Sequence, residues 1–234
     1  MSSPHRLEFT FTDRQGSTRR ETAIQRLVIA GWTGRDQAAM QAHIHELQAI
    51  GVPAPKTTPT YYRVSARRAT TADHIEVSGG DSSGEVEFVL LNTRGQLWLG
   101  VGSDHTDRTV ETYGITVSKQ MCDKPLAAHW WRLDEVLPHW GELQLRAHAT
   151  IDGRAVLYQE GGVLAMRDPL ELVERYQQRY GEFTDGSVMF CGTLAAIGGI
   201  RPAARFAIEL RDPVLGRHIA HAYDIECLPI VERD

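Results

Sequence analysis

The segment SGEVEFVLLNTRGQLWLGVGSDHTDR, residues 83–108, decides the fold predicted for this chain. Two apolar runs, 86–91 and 96–101, flank the short polar stretch 92–95. An Asn-Thr-Arg-Gly stretch between two β-prone runs is typical of a tight reversal. The sequence therefore predicts a β-hairpin whose outer ends lie side by side.

Three carboxylates stand at those outer ends. Glu85 and Glu87 are two positions apart, so in a strand their side chains project from the same face. The hairpin would bring Asp104, at the end of its second strand, close to Glu85 and Glu87. Adjacent carboxylates repel unless a cation or hydrogen-bond donors neutralise them. Oxygen ligands without a nearby cysteine predict Mg²⁺ or Mn²⁺, with Ca²⁺ as a third candidate. A solvated polar strand face is the alternative interpretation.

The order of the motifs resembles the fumarylacetoacetate hydrolase superfamily. That family has a Glu-x-Glu strand, an Asn-Asp-x-Ser/Thr-x-Arg element, a Lys followed by Asp, a Gln hairpin and a Gly-Thr-Pro signature. The matching parts of this chain are Glu85-Val86-Glu87, SDHTDR at 103–108, Lys119 with Asp123, IDGRAVLYQ at 151–159 and FTDGSVMFCGT at 183–193.

The chain also departs from the family pattern. Ser103 stands in place of Asn, Leu194 stands in place of Pro, and Gly161-Gly162-Val163 replaces the usual Thr. One extra residue separates Lys119 from Asp123, and a short hairpin replaces the helical insertion that usually follows the Glu-x-Glu strand. These departures affect the expected substrate more than the expected metal site.

The resemblance implies a β-rich α+β fold, a fumarylacetoacetate-hydrolase-like mixed β-sandwich or roll with a small N-terminal subdomain and a helical lid. We expect residues 1–55 to form the small subdomain with the lid helix, and residues 56–234 to form the metal-binding catalytic domain. The proline-spaced segment 53–59 favours a boundary there.

The resemblance also implies site residues. Glu85, Glu87 and Asp104 would bind the metal, and His43 with Glu46, three residues apart on the lid helix, would activate water. Lys119 would complement negative charge.

Two substrate contacts are expected beside them. Arg108 would hold a substrate carboxylate and Thr193 a substrate oxygen. The alternatives are a solvated helical face for His43 and Glu46, surface cations for Arg108 and Lys119, and a structural turn hydroxyl for Thr193. His105, on an extended segment, should face away from the metal and serve in packing.

By resemblance, the expected function is divalent-metal-dependent hydrolysis of a C–C bond in a 2-oxo acid or β-dicarbonyl acid, such as an acylpyruvate, through an enolate. The same site would also suit a dehydratase, decarboxylase or tautomerase acting on a 2-oxo acid such as a 2-oxo-3-deoxy sugar acid. A non-catalytic binding or assembly module with a structural metal is the alternative from a different class.

Composition agrees with one sizeable core. The chain has 234 residues, 42% of them hydrophobic and 24% charged, with a net charge of −5. No basic stripe interleaved with aromatic residues is present, so no nucleic-acid partner is expected. No apolar run reaches membrane-spanning length. A cytoplasmic location, no membrane partner and a homodimer are expected, with the tryptophan-rich segment 129–140 as a candidate interface.

Other patterns predict individual elements. Alternation over 7–12 predicts an edge strand, and a helix is expected from Asp36 to Ile50. Asp168 is expected to cap a helix over 169–176. Further strands are predicted at 27–32, 143–151, 155–158, 187–191 and 204–210. The cysteines Cys122, Cys191 and Cys227 are predicted to be reduced, buried fillers.

Overall fold

The computed structural model describes residues 4–36, 38, 40–41, 55 and 57–231. This part of the chain forms two large curled sheets with short helices at their ends. The fold is β-rich α+β and has the mixed sandwich or roll character that the sequence predicts, so the predicted fold class is confirmed.

The larger sheet is mixed. The pairs β1–β12 and β15–β3 are parallel, and the remaining neighbours are antiparallel. Its eight strands are, in spatial order, β2 (Gly16–Ile24), β1 (His5–Asp13), β12 (His129–Arg132), β9 (Gln96–Ser103), β8 (Val86–Thr93), β15 (Ser187–Thr193), β3 (Arg26–Gly31) and β4 (Thr60–Val64).

The second sheet has five strands, β14 (Arg154–Gly162), β13 (Gln144–Ile151), β16 (Arg205–Asp212), β17 (Arg217–Leu228) and β6 (His74–Ser78). Two short strand pairs belong to neither large sheet: β7 (Ser82–Ser83) pairs with β10 (Thr106–Asp107), and β5 (Ala69–Thr70) pairs with β11 (Lys124–Pro125). The α-helices that the structure describes in full are α1 (Arg108–Tyr113), α2 (Ile115–Met121), α3 (Leu133–Val136) and α4 (Pro169–Tyr180).

The predicted hairpin is the centre of the larger sheet. Strands β8 and β9 pair from Val86 with Ser103 to Thr93 with Gln96, so the loop has two residues. Those residues, Arg94 and Gly95, have φ of 54° and 70°. Positive φ at both central positions is the geometry that matches the twist of antiparallel strands.

Strand β8 is buried on both faces because a core lies on each side of it. Phe88 and Leu90 belong to the core between the two sheets. Val89 and Leu91 belong to a second core, on the other face of the curled sheet. A strand in this position needs a continuous apolar run, which is what the sequence supplies.

Several element predictions need correction. The first predicted strand, β1, is no edge strand, because it lies between β2 and β12. The tryptophans of the segment 129–140 point into the cores of the chain: Trp130, Trp131 and Trp140 are 0%, 4% and 6% exposed. They therefore do not form an interface. Cys227 is exposed, whereas Cys122 and Cys191 are buried as predicted.

The predicted boundary at residue 55 stays a prediction. Strands β1 to β3 precede it and hydrogen-bond within the same sheet as β4, β8, β9, β12 and β15, which follow it. Most of the predicted lid helix lies outside the described residues. Among the described helices, none combines the length and apolar character needed to cross a bilayer.

Candidate metal centre and its cavity

The β8–β9 hairpin places carboxylates at one end of the larger sheet. Glu87 pairs with Gly102 of β9, and the Asp104 N–H donates to the carbonyl of Glu85 at 3.0 Å. One carboxylate oxygen from each of Glu85, Glu87 and Asp104 lies within 4.8 Å of the other two. The hairpin register thus brings together the three residues that the sequence predicts as ligands.

Strand β15 supplies a backbone partner for Glu87. Its pairing with β8 shifts register between Phe190 and Thr193, and in this bulge the Gly192 N–H donates to Glu87 Oε2 at 2.7 Å. Gly192 has φ of 100°, and a Cβ there would lie 1.8 Å from Thr33 Oγ1. Glycine is required for this approach, so Glu87 is oriented by main chain.

Two buried lysines flank Asp104. Lys119 donates to Asp104 Oδ2 and its Nζ lies 3.8 Å from Glu85 Oε2. Lys124 Nζ lies 3.3 Å from Asp104 Oδ1 and donates to the His105 carbonyl. Buried charges are tolerated when they are paired. The two lysines therefore neutralise Asp104 through different oxygen atoms.

Burial and charge affect the two buried carboxylates differently. Burial raises the pKa of Asp104, but Lys119 and Lys124 outweigh it and hold that pKa below its usual range. Burial, together with the charges of Asp104 and Glu85, raises the pKa of Glu87 well above its usual range. A divalent cation among these oxygens would relieve the repulsion. The donor set therefore fits a hard cation such as Mg²⁺.

Arg108, the first residue of α1, is held by three side chains. Its Nε donates to Ser83 Oγ at 2.7 Å, and its terminal nitrogens lie 2.9 Å from Glu111 Oε2 and 3.1 Å from Glu85 Oε1. Two of the guanidinium nitrogens thus donate hydrogen bonds, and the third forms an ion pair with Glu85 without a hydrogen bond. This arrangement orients Glu85, and the contact of Arg108 with a substrate carboxylate stays a prediction.

Thr193 and Gln159 bond to each other and to β8. The Thr193 hydroxyl donates to the Val86 carbonyl at 2.7 Å and accepts from Gln159 Nε2 at 2.8 Å. Gln159 also accepts from the Val86 N–H at 2.9 Å and donates to the Leu194 carbonyl at 2.6 Å. The single hydroxyl hydrogen of Thr193 is therefore used within the protein, and its contact with a substrate oxygen stays a prediction.

His105 packs beside the site. It is fully buried, and its ring nitrogens lie 3.0 Å from the Tyr223 hydroxyl and 2.9 Å from Ser82 Oγ. Burial, with the nearby charges of Lys124 and Arg108, lowers the pKa of His105 to about 3. The ring is neutral near pH 7 and serves in packing, as the sequence predicts.

A cavity of about 640 Å³ adjoins the three carboxylates. Lys119, Arg108 and Glu111 also line it. A volume in this range accommodates a small organic molecule. The arrangement therefore combines a cation-binding oxygen cluster, a buried ammonium group and space for a substrate.

His43 and Glu46, the predicted pair for activating water, lie outside the described residues. Asp123, matched to the family's Lys-Asp element, contacts Arg68 at 3.2 Å and not the metal cluster.

Two features of the site are not predicted from the sequence: the burial of Lys124 and the contacts of Ser103. Lys124 lies between Asp123 and Pro125, where nothing in the sequence distinguishes it from a surface lysine. Ser103 accepts from the Tyr223 hydroxyl at 2.8 Å and from the Glu85 N–H at 3.2 Å. The Ser that replaces the family's Asn thus ties the Glu85 backbone to β17. The unusual Ser at position 103 marks this position in the sequence. It does not identify the partner, because Tyr223 is 120 residues away.

Solved structures share this fold at low sequence identity. A yeast fumarylacetoacetate hydrolase family protein, ynq8, is 16% identical over 90% of this chain and 97% of its own, with a TM-score of 0.61. A 2-keto-3-deoxy-D-arabinonate dehydratase complexed with magnesium and 2,5-dioxopentanoate is 14% identical over 90% and 77%, with a TM-score of 0.63. A 4-oxalocrotonate decarboxylase from Pseudomonas putida G7, complexed with calcium and acetate, is 15% identical over 85% and 76%, with a TM-score of 0.57.

These identities establish the likeness at the level of the fold. Among curated protein sequences, none matches this chain. One family model, described as a protein of unknown function (DUF2848), matches residues 30–223. The match spans most of the chain, including the hairpin, both lysines and the Gly-Thr bulge. The chain therefore belongs to the DUF2848 family and has the fumarylacetoacetate hydrolase fold that its motifs predict.

Proposed function

We propose that this protein is a divalent-metal-dependent enzyme that hydrolyses a C–C bond in a 2-oxo acid or β-dicarbonyl acid. The observation that carries the proposal is the cluster of Glu85, Glu87 and Asp104, whose oxygens lie within 4.8 Å of one another beside a cavity of about 640 Å³. Mg²⁺ or Mn²⁺ would bind there, and Ca²⁺ would fit the same oxygens.

The protein groups around the cluster support this chemistry. When bound, the cation would supply Lewis-acid polarisation of the substrate carbonyl. The Lys119 ammonium, between Asp104 and Glu85, adds fixed positive charge where the substrate becomes more negative as its bond breaks. Arg108 and Gly192 hold Glu85 and Glu87 in place, so little reorganisation is needed. His43 and Glu46 remain the proposed pair for activating water.

An accessible cavity favours an enzyme over an assembly module. A purely structural metal is expected to be enclosed by protein ligands on all sides. This cluster instead lines a cavity together with Lys119. The related folds of a dehydratase that binds magnesium and a decarboxylase that binds calcium also support metal-dependent chemistry. Loss of water or of CO₂ is therefore a competing outcome for the same site.

Metal binding is tested by thermal unfolding of the wild type and Glu87→Gln. Mg²⁺ at about 100 times its Kd should raise the Tm of the wild type by about 5–10 °C, because only the folded site binds it. Glu87→Gln should lose most of this shift. The control Glu76→Gln, at an exposed glutamate on β6, should keep it. An undiminished shift in Glu87→Gln would remove Glu87 from the metal site.

The reaction is tested by screening acylpyruvates, oxaloacetate and 2-oxo-3-deoxy sugar acids with Mg²⁺ or Mn²⁺ in ¹⁸O-labelled water. Hydrolysis of a C–C bond should place ¹⁸O in a new carboxylate of a cleaved product. Dehydration would leave the carbon skeleton intact, and decarboxylation would release CO₂. Either result, followed by mass spectrometry, would replace the hydrolase assignment.

A further inference from the structure

The cavity beside the metal cluster has an apolar lining that the metal chemistry does not explain. Most of its carboxylates come from the ends of the β8–β9 hairpin and from α1, and Asp36 is a further one, whereas its apolar side chains come mainly from β3, α2 and the loop after β15. The apolar lining residues include Ile29, Met40, Ile115, Leu194, Ala196 and Ile200. A two-carbon oxo-acid head would occupy only a small part of about 640 Å³. The remaining space surrounds the rest of the substrate.

Two aromatic rings form part of the same lining. Trp32 Nε1 donates to the Tyr62 hydroxyl at 3.3 Å, which fixes one ring against the other. Trp32 has φ of 59°, an uncommon conformation for a bulky side chain. A Cβ on Gly31 would lie 2.8 Å from Tyr62 Cε2, so Gly31 leaves room for the Tyr62 ring. The backbone is therefore shaped around this aromatic pair.

Several polar groups of the lining already bond to other protein groups. Both amide hydrogens of Gln159 are used, on Thr193 Oγ1 and the Leu194 carbonyl. The Thr193 hydroxyl hydrogen is used on β8, and Glu111 pairs with Arg108. A substrate tail rich in hydroxyl groups would find fewer hydrogen-bond partners against this lining than in water. An apolar tail would gain from burial.

We infer that the acyl part of the substrate is apolar, either aliphatic or aromatic, and lacks the hydroxyl groups of a sugar acid. This inference rests on the proposed function and names its substrate class. The metal and Lys119 would hold the oxo-acid head, and Trp32, Tyr62, Ile115 and Ile200 would surround the tail.

The test is calorimetric titration of the wild-type protein in saturating Mg²⁺. The ligands are oxalate and pyruvate, which have no tail, 2-oxo-4-phenylbutanoate with an apolar tail, and 2-oxogluconate with a hydroxylated tail. The phenyl compound should bind at least about tenfold more tightly than pyruvate. The affinity of 2-oxogluconate should stay within about threefold of that of pyruvate, because its hydroxyl groups exchange water for few protein partners.

Two isoleucines of one loop provide matched variants. Ile200 is 58% exposed and lines the cavity, whereas Ile197 is 48% exposed and is not among the lining residues. Neither side chain is deeply buried, so both variants should fold. Ile200→Ser should reduce the ratio of phenyl-compound affinity to oxalate affinity by about threefold or more. Ile197→Ser should leave that ratio unchanged.

The outcomes separate this inference from the proposed function. If oxalate binds and the phenyl compound binds no better than pyruvate, the apolar acyl site is wrong while the metal site stands. A greater affinity for 2-oxogluconate than for the phenyl compound would have the same meaning. If Mg²⁺ and oxalate both fail to bind, the proposed function fails and this inference fails with it.

Discussion

At the scale of single residues, the site is built from charges that only tertiary contacts make tolerable. Asp104 is fully buried, yet two lysines keep its pKa low, whereas Glu87 has a glycine N–H and two anionic neighbours. The sequence predicts the three carboxylates because their spacing follows from strand periodicity and one turn. It does not predict Lys124, because the burial of a lysine depends on a partner that is distant in the sequence and close only in the fold.

A buried carboxylate outside the site, Asp212, allows a test by pH. Its side chain is fully enclosed, His139 and Arg217 contact it at 3.1 Å each, and the Leu215 N–H donates to it. Burial raises the pKa of Asp212, but the hydrogen bonds from His139, Leu215 and Arg217 outweigh it and lower the pKa. The carboxylate therefore stabilises the fold above its unfolded pKa of about 4, and this contribution is lost as pH falls through the lower folded pKa.

Asp212→Asn should accordingly lower the free energy of unfolding by about 1–3 kcal/mol at pH 7, because it leaves Arg217 and His139 without their anion. The difference from the wild type should shrink below about pH 4. Urea unfolding at several pH values measures both effects. The control Asp224→Asn removes an exposed pair with Arg205 and should cost less than about 1 kcal/mol. A difference independent of pH would show that the Asp212 charge does not stabilise the fold.

At the scale of elements, the β8–β9 hairpin is the part of the fold that the sequence predicts best. Its apolar runs, two-residue turn and register all follow from local pattern. Strand β2 is harder to predict. β2 has the sequence GSTRRETAI, in which the first seven residues are polar or glycine. It forms a strand because it pairs with the edge of β1, and the local sequence pattern does not show this contact.

The turn of this hairpin should be sensitive to substitution. Gly95 has φ of 70°, and a Cβ there would meet no neighbouring atom, so Gly95→Ala tests conformation without a clash. We expect the free energy of unfolding to fall by about 1–2 kcal/mol. Gly80→Ala, at an exposed glycine that also has open space but no positive φ, should change it by less than about 1 kcal/mol. Denaturant unfolding measures both, and equal effects would contradict the conformational explanation.

At the scale of the whole molecule, the two cores share the central strands, so they should unfold together. The sequence predicts this β-rich class from its many short apolar runs and from the order of its motifs. The curl of the sheets and the division of residues between the two cores come from long-range pairing. The predicted boundary at residue 55 concerns this same scale, because an independent subdomain would unfold in a step of its own.

Leu90→Ala and Leu91→Ala test that cooperativity. Both residues are fully buried neighbours on β8, but Leu90 faces the core between the sheets and Leu91 the other core. Each substitution should cost about 2–5 kcal/mol. Each should also shift one common transition, with coincident curves from far-ultraviolet circular dichroism and tryptophan fluorescence. Two separated steps, only one of which moves in each variant, would support independent units.

The pairing of Asp104 with Lys119 and Lys124 has a chemical consequence beyond the site. Only three of the twenty-five basic residues are lysines, and these two are 6% and 0% exposed. An acylating reagent selective for amines should therefore modify both slowly in the folded protein, at a rate set by local opening of the hairpin and α2. Mass spectrometry of the peptides would follow acylation at each lysine over time. Mg²⁺ should slow the acylation further. The acylation rates of the two buried amines would then measure how often the site opens.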